Sequence, residues 1–383
     1  MKVKETKQLL LENLEAPARS YGSIILNKEI TTQLFEECLS EENIEILKRK
    51  IYSMKSAIHT YKNDKEGFLN IDSNGDTVSL RRDVFISELE QILETKTIER
   101  AKYYLSRLKT GIEKVKTNKI NDINLHRWKE YDEIITDSLW VMGKRDASGA
   151  HIGWYWGNFI PQIPHQMMLR YTKKGDWVLD AFVGSGTTLI ECRRLGRNGF
   201  GIELNAEVSQ AAKKLIEKEN NKHEITTEVI TGDSRTINIK EILDAHGIKQ
   251  VQLLIMHPPY HDIIKFSKND RDLSNAANTE KFLSMFGDVV DNVTPYLAKG
   301  RYFALVIGDK YYKGEWIPLG FYCMNEVLKR GYLLKSIIVK NFEQTRGKRN
   351  QKALWRYRAL VGGFYIFKHE YIMLFKKNSI SNG

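Results

Sequence analysis

Asp180-Ala181-Phe182-Val183-Gly184-Ser185-Gly186-Thr187-Thr188 is the stretch that decides the fold of this chain. It follows the apolar run Trp177-Val178-Leu179 and leads into Thr188 to Leu195, which has helical spacing. Together these segments read as a buried strand, a tight glycine turn and a helix. Gly184 and Gly186 can take backbone angles that other residues avoid, and they let a ligand approach the main chain. The helix that follows offers free N–H groups in its first turn. Many α/β loops carry a Gly-x-Gly turn for packing alone, so its meaning comes from its surroundings.

The alternation continues downstream. Gly199-Phe200-Gly201-Ile202-Glu203 reads as a second strand and Ala206 to Glu219 as a second helix. Val229-Ile230 leads to Asp233, Val251 to Met256 is a strand ending at His257-Pro258-Pro259-Tyr260, and Tyr302 to Ile307 is another strand. Strands alternating with helices imply a parallel sheet with helices on both faces. Glu203 ends the second strand, where a carboxylate can accept hydrogen bonds from both hydroxyls of a ribose, as in dinucleotide folds. Asp233 ends the third, within reach of an adenine amine. The rival readings are a surface carboxylate for Glu203 and a helix N-cap for Asp233.

The glycine turn and the later His-Pro-Pro-Tyr string, in this order and each after an apolar strand, resemble motifs I and IV of the DNA amino-methyltransferases. Those enzymes use S-adenosylmethionine (SAM). The resemblance covers roughly residues 151–376. Asn158-Phe159-Ile160-Pro161, followed by Pro164-His165-Gln166, resembles motif X of the same family, which packs along the methionine side of the donor. The implied fold is α/β, a Rossmann-like SAM-methyltransferase sheet, mostly parallel with an antiparallel end strand. Leu333 to Val339 and Phe364 to Phe375 are the expected antiparallel pair. The implied donor-binding residues are Asn158, Phe159, Pro161, Asp180, Phe182, Gly184, Ser185, Gly186, Thr187, Glu203, Leu204 and Asp233.

The second string has a chemistry of its own. The exocyclic amine of cytosine or adenine is a poor nucleophile, because its lone pair is delocalised into the ring. Two acceptors beside it can pull on its hydrogens and move the nitrogen toward a tetrahedral geometry. In the family these are the first side chain of the motif and the carbonyl of the next residue, which are His257 and the carbonyl of Pro258 here. Pro258 and Pro259 stiffen the turn. Tyr260 offers a face on which a flipped base can stack. No Pro-Cys nucleophile is present, which argues against methylation at cytosine C5. The family usually carries Ser at the first position in cytosine-N4 enzymes and Asp or Asn in adenine-N6 enzymes. His257 matches neither, so the base stays open, with a slight lean to cytosine-N4. Neutral imidazole keeps an acceptor nitrogen, whereas imidazolium has none. The Pro-Pro turn keeps His257 and His261 off a common helical face, so no metal is expected.

With 383 residues and a net charge of +11, the chain has room for two domains and the balance expected of a polyanion's partner. Residues 1–135 read as a mostly helical N-terminal domain. Its apolar stripes are Leu34, Phe35, Cys38, Leu47, Ile51, Met54 and Ile58, then Phe85, Leu89, Ile92 and Leu105. Residues 136–383 read as the methyltransferase domain, with a DNA-recognition insert around 341–363. In that insert Arg346, Lys348, Arg349, Lys352, Trp355, Arg356 and Arg358 mix cations for phosphate with an aromatic for bases. Lys265 to Arg271, after the His-Pro-Pro-Tyr string, is a second candidate.

Cys38, Cys192 and Cys323 lie far apart without metal-ligand spacing, as in a reducing cytosol. No apolar run approaches the roughly 20 residues of a membrane span, and the N-terminus lacks a signal-peptide core. The expectation is a cytoplasmic, site-specific methyltransferase acting on double-stranded DNA, of restriction–modification type, with a restriction endonuclease as a possible counterpart. An RNA or protein amide methyltransferase, or a decayed DNA-binding homologue, are the alternatives. Target sequence and oligomeric state are not legible.

Overall fold

The computed structural model describes residues 22–60, 67–69, 76–342 and 352–378. The chain divides into two compact units, one formed by Met1–Lys119 with Ile123–Glu133 and the other by Ile120–Asp122 with Ile134–Gly383.

Among the described residues, the first unit is built on the α-helices α1 (Lys28–Ser40), α2 (Ile44–Thr60), α3 (Arg82–Leu93) and α4 (Ile98–Glu113). The apolar stripes of the sequence form its core: Phe35, Cys38, Leu47, Ile51, Ile58, Leu89, Ile92 and Leu105 are buried together. Asn27 caps α1 by accepting from the N–H of Ile30, and Thr97 caps α4 by accepting from Arg100. The unit is mostly helical, as the sequence suggests, and it also carries two short strands that the sequence did not indicate. Strands β1 (Ser23–Asn27) and β2 (Thr77–Arg81) pair antiparallel, with Ile24 opposite Leu80. Each strand runs directly into a helix, and five residues are too few for an alternation that stands out beside helical stripes.

The second unit carries an eight-stranded sheet. Its strands are β3 (Leu139–Trp140), β4 (Trp177–Asp180), β5 (Asn198–Glu203), β6 (Thr227–Thr231), β7 (Val251–Met256), β8 (Leu297–Ile307), β11 (Leu333–Asn341) and β12 (His369–Lys376). A short antiparallel pair, β9 (Lys310–Tyr312) and β10 (Glu315–Ile317), stands apart from it. The spatial order is β3-β11-β12-β8-β7-β4-β5-β6. Neighbours run parallel except where β12 lies between β8 and β11, antiparallel to both. This is the mixed, Rossmann-like sheet that the sequence implies. The helices of this unit are α5 (Gln162–Tyr171), α6 (Thr187–Leu195), α7 (Ala206–Glu217), α8 (Ile239–Ala245), α9 (Thr279–Val293), α10 (Leu319–Lys329) and α11 (Lys352–Gly362). Two apolar clusters form the core. One holds Leu179, Phe200, Ile202, Leu254, Phe282 and Phe286, and the other holds Met167, Val178, Leu189, Ile255 and Ile372. Strand residues next to one another in sequence divide between the clusters, as alternation through a pleated sheet requires.

Some strand starts differ from the sequence reading, and β8 begins at Leu297 rather than Tyr302. The last strand begins at His369 rather than Phe364, and part of the segment before it forms α11. The edge strand β3, parallel to β11, had no signal in the sequence because it is two residues long.

The glycine turn closes over β5 because Gly201 has no side chain. The N–H of Val183 donates to the carbonyl of Ile202 at 3.0 Å. A methyl group on Gly201 would lie 2.4 Å from Cγ2 and 2.5 Å from Cβ of Val183. The branch point of a valine cannot swing away, so the turn itself would have to lift. Gly201→Ala is therefore expected to lose about 1–3 kcal/mol of stability, the usual cost of overpacking a dense core. Urea unfolding measures this, and a variant as stable as the parent would show that the turn yields freely.

Candidate active site

A cavity of about 770 Å³ opens at the carboxyl ends of β4, β5 and β7, where the topology of open α/β sheets places ligands. Its first half is made by the glycine turn and the ends of the next two strands. Gly184, in the left-handed region at φ 51°, lines the wall, and its N–H donates to Oε2 of Glu203 at 3.1 Å. The other oxygen of Glu203 accepts from the N–H of Asn205 at 2.9 Å. Burial pushes the Glu203 carboxyl up to about 6, against the pull of these two N–H groups. Phe159, Phe182, Leu204, Asn158 and Asp233 line the same half. Asp233 is engaged by Arg235, whose guanidinium lies 2.7 Å away. Burial works against its ionisation, but Arg235 and a backbone N–H outweigh it and hold the carboxyl below its usual range.

Pro161, Asp180, Ser185, Gly186 and Thr187 do not line the cavity. Asp180 closes its own turn, accepting from the N–H of Phe182 at 2.9 Å and from the hydroxyl of Thr188. Burial pushes it up to about 6. Ser185 accepts from the side-chain amide of Asn158, which ties the motif X segment to the glycine turn. Gly186, at φ 88°, caps α6 with its open side toward the core, where an added Cβ would lie 2.7 Å from Cδ1 of Ile216. A valine there would disturb packing as well as any ligand, so Gly186 is a poor position at which to test binding alone.

The segment leading to Asn158 is pinned from below by α6. The buried carboxylate of Glu191 accepts from His151 at 2.6 Å and from His165 at 2.7 Å. Arg194 donates to the carbonyl of Ser148 at 2.6 Å, and Arg145 to the carbonyl of Phe159 at 2.6 Å. Asp146, His151 and Glu191 bring ligand-type atoms within 4.8 Å of one another. Arg194 already supplies a cation there, 3.1 Å from Asp146 and 3.4 Å from Glu191, while the buried Nδ1 of His151 has no hydrogen-bond partner among the described residues.

The second half of the cavity begins at the Pro-Pro turn. His257, Pro258, Pro259 and Tyr260 all line it. The His257 ring packs between Phe159, with centroids 5.0 Å apart, and Tyr260. Burial lowers its pKa from 6.5 to about 4, with the nearby Lys340 adding to the effect and Glu370 opposing it. The imidazole is therefore neutral at ordinary pH and keeps an acceptor nitrogen. His261 and Asp262 do not join it. Lys310 donates to Nδ1 of His261 at 2.6 Å and to Asp262 at 2.7 Å, fastening the loop behind the turn. Lys340 and Glu370, from β11 and β12, line the same wall and were not singled out from the sequence. Each has apolar neighbours, as in Ile337-Ile338-Val339-Lys340 and Glu370-Tyr371-Ile372, but Lys335 and Lys376 lie in the same strands, so neither charge stands out.

Of the expected DNA-binding residues, Trp355 lines the cavity rim on α11. Arg356 and Arg358 are exposed, the latter with its guanidinium 5.3 Å from the Trp355 ring centre. Arg346, Lys348, Arg349 and the side chain of Lys352 lie outside the described residues. Of the second candidate segment, Phe266, Ser267 and Arg271 reach the cavity wall.

Residues 20–214 match the family model described as DNA methylase, that of the N6 and N4 methyltransferases. The chain belongs to this family of DNA methylases. The match includes the glycine turn and Glu203 and stops short of His257. Among curated relatives, this DNA methylase family member is 24% identical over 243 residues to type II methyltransferase M.MjaII of Methanocaldococcus jannaschii, across 57% of this chain and 44% of the relative. It is 47% identical over 55 residues to type II methyltransferase M2.DpnII of Streptococcus pneumoniae, across 14% of this chain and 20% of the relative. The chain thus spans less than half the length of these relatives. Among solved structures it is similar to TrmN from Thermus thermophilus, with a TM-score of 0.38 and 15% identity over 58% of this chain and 50% of that one. Among the described residues, no helix is long and apolar enough to cross a membrane.

Proposed function

We propose that this chain transfers a methyl group from SAM to the exocyclic amine of a base flipped out of DNA, with a slight lean to cytosine-N4 over adenine-N6. The observation that carries the reading is one cavity holding both a buried carboxylate on a glycine turn, Glu203 beside Gly184, and a neutral imidazole at a Pro-Pro turn, His257. The donor-side residues fit SAM. Glu203 offers lone pairs to a ribose, Phe182 and Leu204 offer apolar walls, and Asp233 closes the far end. Gly184 lets Tyr155 and Asn158 pack close on the turn, where an added Cβ would lie 3.1 Å and 3.4 Å from them. SAM supplies an electrophilic methyl group. The chain's own residues orient the acceptor, with His257 and the carbonyl of Pro258 accepting from the amine so that its lone pair turns toward the methyl. Trp355, Arg356 and Arg358, together with the expected cations at 346, 348 and 349, stand for the DNA surface.

Mass spectrometry of nucleosides from an expressing host's DNA tests the reading. N4-methylcytosine is the expected product. N6-methyladenine would keep the reaction and correct the base. DNA without either base, with label from SAM entering RNA or protein instead, would overturn the substrate. DNA binding with no methyl transfer to any acceptor would mark a decayed homologue.

A further inference from the structure

Lys340 and Glu370 are register partners on β11 and β12, and their side chains pair at 2.9 Å. They are 4% and 7% exposed. An ion pair buried this deeply costs desolvation, which is offset only when its remaining oxygens and protons are bonded. The second oxygen of Glu370 is bonded, because the Tyr260 hydroxyl donates to it at 2.8 Å. Glu370 is held ionised: burial opposes this, but the Lys340 ammonium and the Tyr260 hydroxyl prevail. Burial, then the adjacent carboxylate, push the Tyr260 phenol far above its ordinary value, so its proton stays in place.

A phenol has one proton, and here it is committed. The Tyr260 oxygen therefore turns only lone pairs toward Nε2 of His257, 3.4 Å away. Neutral imidazole has two tautomers. With the proton on Nε2, that nitrogen donates to the Tyr260 oxygen. With the proton on Nδ1, two lone pairs face each other across the gap. Phe159 packs on the imidazole and restricts turning of the ring.

We propose that Lys340, Glu370 and Tyr260 form a tautomer lock that holds neutral His257 with its proton on Nε2 and leaves Nδ1 as the acceptor for the target amine. The proposal rests on His257 being that acceptor. Lys340 and Glu370 act through Tyr260 and are positioning residues. Tyr260 thus gains a role beyond stacking, and the motif's first residue becomes usable as histidine because strands from the far end of the chain set its tautomer.

The test reads the tautomer directly. In protein labelled with ¹⁵N-histidine, proton–nitrogen correlation at neutral pH reports which ring nitrogen carries the proton, and loss of a signal in His257→Asn assigns it. The parent protein is expected to show a protonated Nε2 and a bare Nδ1. Tyr260→Phe and Glu370→Gln are expected to show mixed tautomers or a protonated Nδ1. Tyr260→Phe should also slow single-turnover methyl transfer by about tenfold, the scale of one hydrogen bond, with SAM affinity unchanged. A protonated Nδ1 in the parent, or the parent pattern persisting in both variants, would overturn the lock. A parent with protonated Nε2, lost in the variants, supports the lock even where methyl transfer is absent, and that absence bears on the proposed reaction instead.

Discussion

Glu203→Gln is expected to raise the dissociation constant for SAM by about 100-fold while the protein stays folded. Both oxygens of Glu203 already accept backbone N–H groups, from Gly184 at 3.1 Å and from Asn205 at 2.9 Å. An amide replaces one oxygen with a donor, which then faces an N–H. The turn must shift and the ribose loses an acceptor with charge. Hydrogen bonds to a charged group contribute about 1.5–3 kcal/mol each, and 100-fold corresponds to about 2.7 kcal/mol. The pH dependence follows from the same carboxyl. Burial holds it at about 6 in the free protein, so below that value a proton competes with the donor. Affinity should fall by about tenfold per pH unit on the acid side, and the Gln variant should lack that limb. For stability the sign is reversed. A carboxyl with its folded pKa raised from 4.5 to about 6 stabilises the fold when protonated, and that contribution is lost as pH rises through this window. Asp180 titrates near the same value but does not face the cavity, so the comparison with Glu203→Gln isolates the donor site. Calorimetric titration with SAM from pH 5 upward measures both effects. A variant with parent affinity would place the ribose elsewhere.

The glycine turn and the strand–helix alternation were legible in the sequence because both follow from short-range chemistry. Gly184 and Gly186 occupy left-handed angles, and only local rules are needed to expect this. What each side chain faces was less legible. Asp180 and Glu203 are both carboxylates ending apolar strands, yet Asp180 turns back to bind its own loop while Glu203 faces the cavity. Nothing in spacing separates a residue that closes a turn from one beside it that meets a ligand. Gly186 resembles Gly184 in sequence but opens toward Ile216 and the core. The pairing of Lys340 with Glu370 was beyond local reading altogether, since it depends on the register of β11 against β12. Once those strands are antiparallel, the two charges fall opposite each other beside His257. In the sequence neither stands out, since Lys335 and Lys376 lie in the same strands.

The acceptor side carries the second large effect. His257→Leu is expected to slow single-turnover methyl transfer by about two orders of magnitude, the scale of removing one preorganised transition-state contact. SAM and DNA binding should change little, because leucine fills similar space against Phe159 and Tyr260. His257→Asn restores an acceptor and should keep part of the rate. The acid limb of the parent locates the group. An ordinary histidine titrates near 6.5, whereas burial lowers His257 to about 4. The rate should therefore hold through the range where a free imidazole would protonate and fall only near the lower value, with a single ionisation that His257→Asn lacks. Stability moves in the same direction. A histidine with a lowered folded pKa favours the unfolded chain once protons are available, so its contribution is lost as pH falls from 6.5 toward about 4. Working with DNA and SAM at saturating concentration keeps the Glu203 titration out of the measured rate, since that group acts on donor affinity. A limb at the ordinary histidine value would mean that the ring is solvated in the complex. A leucine variant with near-parent turnover would remove His257 from the reaction, and activation of the amine would then rest on the carbonyl of Pro258 alone.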